Sequence, residues 1–167
     1  MRLAISLGSN LGDRLLHLRS ATLAIQAQLH LSDFPFLCSS IYETEPVDCA
    51  PNTPPFYNAV VECECALPPE QVLACLQKLE QAAGRPKEHA FHAPRILDLD
   101  VLYYGDIALD NADLTLPHPR LSERLFVLVP LAEIVPHKIL PCCPQGVDEQ
   151  VKKFASDEPL AKIGNLL

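Results

Sequence analysis

A chain of 167 residues with 49% hydrophobic and 20% charged residues is an ordinary globular composition, long enough to bury a real core. Its net charge of −8 argues against broad contact with nucleic acid or an anionic membrane, both of which need a basic face. It leaves room for a small phosphorylated ligand held by a few local arginines. The start, Met1 to Gly8, lacks the long apolar run and small-residue cleavage site of a signal peptide, and nowhere do about 18 apolar residues run without interruption. The expectation is a soluble cytoplasmic protein of one domain, residues 1–167, with 156–167 as a peripheral tail.

The 7 cysteines are many and odd in number, but contain no CxxC spacing. Without an export signal they read as free thiols, and Cys63 and Cys65 as small hydrophobes on one strand face. Cys142-Cys143, in a proline-bounded loop, is a weak alternative metal or redox pair. The 16 prolines fall mostly between elements, as breakers should.

In chain order, Leu3 to Leu7 reads as a strand ending in Gly8-Ser9-Asn10, and Asp13 as the N-cap of a helix. Leu15, Leu18, Thr22, Ile25 and Leu29 recur on that helix at the spacing of one buried stripe. The Gly8–Gly12 turn lacks the GKS/T of a P-loop and the GxGxxG of a dinucleotide turn, so by itself it is a strand–turn–helix joint. Phe36 to Thr44 is a second strand, and residues 48–55 a proline-rich loop. Phe56 to Cys65 is a third strand, with Tyr57, Ala59, Val61, Cys63 and Cys65 on one face and Phe56, Asn58, Val60, Glu62 and Glu64 on the other. Asn58 reads either as a polar anchor in an apolar setting or as a solvated edge residue.

Pro68-Pro69 opens a helix to about Ala83, with Val72, Leu73, Leu76, Leu79 and Ala83 as its stripe and Gly84 as its stop. Gln77 and Glu80 share one edge of it, locally a solvated polar edge. Residues 85–95 form a loop in which Arg85, Lys87 and Arg95 concentrate positive charge, and Arg is suited to bidentate phosphate contacts. His89 and His92 lie on that loop without further ligands, a poor zinc site.

The strand that follows, to Tyr104, carries Asp98 and Asp100, with Ile96, Leu102 and Tyr104 on the same side. Two aspartates at i and i+2 have Cα atoms about 6.6 Å apart. At ~5–6 Å and an effective dielectric of ~20 their carboxylates repel by roughly 3 kcal/mol, which a cation between them would reverse. An exposed strand face is the plainer reading, but the apolar residues on the same side favour a metal pair. Asp106 to Leu109 and Leu114 to Leu116 read as short strands. His118 is pinned between two prolines, and Leu121 to Val135 reads as a helix interrupted or kinked near Pro130, with Arg124 and Phe126 in its first turns. Val147 to Phe154 is a small helix. The order β-α-β-β-α-β implies an α+β, ferredoxin-like sandwich with added short strands and helices.

Six segments carry a family resemblance: Leu7-Gly-Ser-Asn-Leu-Gly-Asp13, Tyr42-Glu-Thr-Glu-Pro-Val47, Phe56-Tyr-Asn-Ala-Val60, Leu79-Glu80 with Gly84-Arg85, Pro94-Arg-Ile-Leu-Asp-Leu-Asp100, and Leu114-Thr-Leu-Pro-His-Pro-Arg120 through Arg124-Leu-Phe126. In this order and spacing the chain resembles 6-hydroxymethyl-7,8-dihydropterin pyrophosphokinases over residues 3 to about 141. The resemblance implies transfer of pyrophosphate from ATP to a pterin hydroxymethyl group in folate biosynthesis, with AMP released. It implies that Asp98 and Asp100 hold two Mg²⁺ ions and that Arg85 and Arg95 contact phosphate. It puts Gln77, Glu80, Lys87, His118 and Arg124 on the nucleotide side. The pterin is expected between Phe56 and Phe126, read by Asn58 and by the backbone around Thr44 and Val47. A monomer is expected, with a dimer as the alternative.

The chain departs from the family's usual Arg-Trp-Gly-Pro-Arg, having Phe91-His92-Ala93-Pro94-Arg95, and has Lys87 for another usual arginine and Asp48 where glycine is usual. These changes keep two alternatives open: a paralogue acting on a related pterin alcohol, and a non-catalytic pterin- or nucleotide-binding protein.

Overall fold

The computed structural model describes residues 1–46, 53–84, 95–141, 143–154 and 160–167. In chain order the elements are β1 (Arg2–Ser9), α1 (Arg14–Leu29), β2 (Leu37–Cys38), β3 (Ser40–Thr44), β4 (Phe56–Glu64), α2 (Pro69–Ala82), β5 (Asp98–Tyr104), β6 (Leu109–Asp110) and β7 (Thr115–Leu116). A 3₁₀ turn (Leu121–Glu123), α3 (Leu125–Ile134), α4 (Val147–Val151) and β8 (Ala161–Asn165) follow. The main sheet runs β5-β1-β4-β3-β8, with β2 also on β4, and its pairs are antiparallel. This is the strand order of a ferredoxin-like sandwich, as the element order implied.

Local chemistry accounts for the helix ends. The Asp13 carboxylate accepts the Leu16 N–H at 3.0 Å and caps α1. Pro69 begins α2, where its missing N–H would have no partner in any case. Gly84, at φ +104°, takes the left-handed turn beyond that helix.

The sheet separates two cores. Leu18, Ile25 and Leu29 of α1 and Val72 and Leu76 of α2 pack on Leu3, Ile5, Leu7, Ala59 and Val61. On the other face, Val127, Leu128 and Leu131 of α3 cover Ala4, Val60, Leu102 and Tyr103. Each fully buried leucine contributes ~1.5–3 kcal/mol, so this second cluster holds α3 firmly on the sheet. Its apolar cover reaches only part of the strands, and towards the C-terminal end of β1 the same face turns polar. Glu62 is a buried carboxylate in the apolar half, accepting the Tyr103 hydroxyl at 2.6 Å and the Arg2 guanidinium at 3.3 Å.

The structure corrects five details. The strand expected over 36–44 is divided at Ser39, whose N–H donates to the Val60 carbonyl while its hydroxyl accepts the Val60 N–H, both at 2.9 Å. The register on β4 slips by one residue across this bulge. A second slip between β1 and β5 makes Leu102 the extra residue, because Val101 pairs with Ile5 but Tyr103 pairs with Ala4. Tyr104 therefore joins the α1–α2 core and does not share a face with Asp98 and Asp100. The short strand expected over 106–109 lies later, at β6. The helix is not interrupted at Pro130, which is buried inside α3. The interruption comes at Arg124, extended at φ −108° and ψ 104°, whose carbonyl accepts the N–H groups of Val127 and Leu128 and so starts α3 afresh. Finally, the tail expected to be peripheral supplies edge strand β8, and Leu166 is fully buried. No described helix is long and apolar enough to cross a membrane.

Candidate active site

The polar half of the α3-side face is built by register. Gly8 of β1 lies opposite Asn58 of β4 on one side and Asp98 of β5 on the other, and Ser6 lies opposite Asp100. Three neighbouring strands therefore bring the candidate pterin contact, a glycine and the first carboxylate of the pair into one row. The alternation of side chains keeps Asp98 and Asp100 together, since the bulge at Leu102 comes after both.

Both carboxylates are met by arginine. The Arg95 guanidinium donates to Asp98 at 2.6 Å, and that of Arg124 stands 3.6 Å from Asp100. Arg124 reaches the sheet because its extended backbone lies ahead of α3. Its guanidinium also lies 5.4 Å from the centre of the Phe126 ring.

Asn58, 7% exposed, donates to the Thr44 hydroxyl at 2.7 Å and is thereby oriented by β3. This decides between its two readings for the anchored one. Phe56 and Phe126 are both half-buried. Phe56 lines the row with Asn58 and Asp98, within 4 Å of the space above Gly8.

Glu80 is buried, and its carboxylate accepts the Leu99 N–H at 2.9 Å. Leu99 lies between the two aspartates on β5, an edge of the sheet, so α2 supplies an acceptor where no strand does. The solvated-edge reading fails for Glu80, while Gln77 on the same helix is exposed. His118 donates its backbone N–H to the carbonyl of Leu102, the bulged residue, at 2.8 Å. Its ring Nδ1 accepts the Arg120 N–H at 3.1 Å, which leaves the proton on Nε2. Burial, and then the positive charges of Arg124 and Arg120, depress its pKa to about 4. Val47, Arg85 and Lys87, together with Asp48, Phe91 and His92, lie outside the described residues.

The Gly8-Ser9-Asn10 joint, by sequence a plain strand–turn–helix connection, organises the site. The Ser9 hydroxyl donates to the Ile96 carbonyl at 2.5 Å. Asn10, 2% exposed, donates its N–H to the Arg95 carbonyl at 3.1 Å and accepts the Arg95 N–H at 2.7 Å. Its side-chain amide also reaches the Pro54 carbonyl at 3.4 Å. Arg14, one turn on, donates to the Pro55 carbonyl at 2.7 Å and to Glu43 at 3.1 Å, with its guanidinium 3.7 Å over the Tyr57 ring. The sequence signals here were membership of Leu7 to Asp13 in the family-like segments and a buried-type strand ending in two residues able to bond backbone.

Comparison with known proteins shows the family. Residues 4–136 match the family model described as 7,8-dihydro-6-hydroxymethylpterin-pyrophosphokinase. The chain belongs to that family. It is 42% identical over 130 residues to the 2-amino-4-hydroxy-6-hydroxymethyldihydropteridine pyrophosphokinase of Bacillus subtilis, covering 78% of this chain and 75% of that one. The Haemophilus influenzae protein of the same name is 37% identical over 161 residues, covering 95% and 96%. In fold, the chain is similar to Plasmodium falciparum HPPK-DHPS crystallised with pteroate, with a TM-score of 0.72 at 15% identity. That match takes in 93% of this chain but 44% of the other, so the chain spans less than half of the solved protein.

The residues of this pyrophosphokinase-family chain suit a hard cation. Two carboxylates project from one strand face, and the described residues hold no cluster of three or more His, Cys, Asp or Glu side chains able to bind a metal alone. Mg²⁺ is commonly held in this way, by one or two carboxylates with substrate phosphates completing the shell.

Proposed function

We propose that this chain transfers the pyrophosphoryl group of ATP to the hydroxymethyl oxygen of 6-hydroxymethyl-7,8-dihydropterin, acting as a cytoplasmic monomer in folate biosynthesis. The hydroxyl oxygen forms a bond to the β-phosphorus while the bond from that phosphorus to the α,β-bridging oxygen breaks. The electron pair leaves on AMP, and the hydroxyl proton goes to solvent. Such a transfer asks for alignment and charge neutralisation more than for a protein nucleophile.

The observation that carries this reading is the single row Asn58–Gly8–Asp98 across three strands, flanked by Arg95 and Arg124. Asn58 both donates and accepts, which a pterin edge requires. Phe56 and Phe126 offer aromatic faces for a flat heterocycle. Arg95, Arg124 and the Nε2–H of His118 stabilise negative charge on the triphosphate, joined in this reading by Arg85 and Lys87, with Gln77 on the nucleotide side. Thr44 and the backbone near Val47 complete the pterin pocket. Asp98 and Asp100 would hold two Mg²⁺ ions, which supply further neutralisation of the phosphates when bound.

Incubation with ATP, Mg²⁺ and the dihydropterin alcohol is expected to release AMP in proportion to pterin diphosphate formed. Absence of AMP at high enzyme concentration would overturn the proposal.

A further inference from the structure

The geometry points to Gly8 as a specificity-determining position, whose missing side chain leaves the passage for the pterin's hydroxymethyl arm. The inference rests on the proposed reaction and deepens it. β1 lies between β4 and β5. With neighbouring strands about 4.8 Å apart, the backbones of Asn58 on β4 and Asp98 on β5 stand about 10 Å apart across it. A pterin read by Asn58 and a triphosphate held at Asp98 and Asp100 must join above β1. At that row, β1 presents Gly8.

The backbone does not require glycine there. Gly12, Gly84 and Gly105 have positive φ, whereas Gly8 is ordinary strand. A Cβ on Gly8 would lie 3.4 Å from Asn58 Oδ1, 3.8 Å from Asp98 Cβ and 3.9 Å from Phe56 Cδ1. These are ordinary contact distances, so an alanine fits the folded protein without a clash. It would fill the space bounded by Asn58, Phe56 and Asp98. A methyl group there makes contact on three sides and takes volume that the substrate arm would otherwise use. What glycine supplies at this position is therefore empty volume at the reacting atoms and not a special chain conformation.

The test compares wild type with Gly8→Ala, using two probes that differ only in the arm: 6-hydroxymethyl-7,8-dihydropterin and 7,8-dihydropterin. Calorimetry in the presence of Mg²⁺ and a non-hydrolysable ATP analogue is expected to show at least a tenfold loss of affinity for the alcohol in Gly8→Ala. Affinity for the armless pterin and for the nucleotide analogue should stay within twofold. AMP release should fall at least tenfold in kcat/KM for the pterin. Unchanged kinetics in Gly8→Ala, or an equal loss for both pterins, would overturn the inference while leaving the proposed reaction standing. A wild-type protein that binds both pterins but releases no AMP would sink the reaction alone, because the binding comparison still reads the passage. A wild type that binds neither would sink both. Should Gly8→Ala not fold, nuclear Overhauser contacts settle the matter in the wild type: the arm's CH₂ protons should lie against the Gly8 Hα protons, and their absence would overturn the inference.

Discussion

The Glu80 carboxylate accepts the backbone N–H of Leu99 at 2.9 Å, so a helix on one side of the sheet fixes the strand residue lying between Asp98 and Asp100. Among the described residues β5 is a sheet edge, and no neighbouring strand meets that N–H. Truncation in Glu80→Ala leaves a buried donor unsatisfied and is expected to cost about 1–3 kcal/mol. Glu80→Gln keeps an acceptor oxygen and should fall well short of that loss. Urea denaturation measures the difference. AMP release should fall with the alanine variant more than with glutamine, since the strand carrying both carboxylates loses its outer support.

Asp98→Asn and Asp100→Asn preserve shape and remove one charge each. Removing a preorganised electrostatic contact of this kind typically lowers kcat by roughly 10²–10³-fold, and each variant is expected to fall in that range or lower. Circular dichroism should show the fold retained, because both side chains are partly exposed. Raising Mg²⁺ should recover part of the lost rate if these carboxylates hold the ion. Full activity in both variants would remove the metal pair from the reading.

His118 should be neutral in the free protein across physiological pH. Its depressed pKa, about 4 against an ordinary 6.5, means that the unfolded chain binds more protons than the folded one between those values. Its contribution to stability is therefore complete above about pH 6.5 and declines as pH falls towards 4. An NMR titration of the ring in the free protein is expected to place the midpoint near 4. A midpoint at 6.5 would contradict the burial and the neighbouring arginines assigned to it.

Asn10 joins Arg95, the proposed phosphate contact, to Pro54, which lies just ahead of Phe56, the proposed pterin contact. Asn10→Asp retains an acceptor for the Arg95 N–H but loses the donor to Pro54, placing a carboxylate against a carbonyl. Its KM for the pterin should rise several-fold with KM for ATP little changed. Asn10→Ala loses both side-chain contacts and should raise both constants. Steady-state kinetics in which the two variants behave alike would argue that the residue serves only to hold the fold.

Much was legible in the order of residues. Periodicity marks α1 and α2, Asp13 and Gly84 mark their ends, and the β-α-β-β-α-β order implies the sandwich, because these follow from backbone sterics and the burial of one face. Asp98 and Asp100 share a side because they are two apart on a strand, and motif spacing carried the family. What local pattern could not decide was relative placement. The bulge at Leu102 turns Tyr104 to the opposite core, a slip that depends on how β1 and β5 settle against each other. Glu80 reads as a surface residue until α2 is packed against the edge of β5. Gly8 and Asn10 acquire their importance only when antiparallel register sets Asn58 and Asp98 on either side of β1. Composition and local propensity act over a few residues, whereas the site is formed by groups up to about a hundred residues apart, whose positions follow from strand pairing and packing.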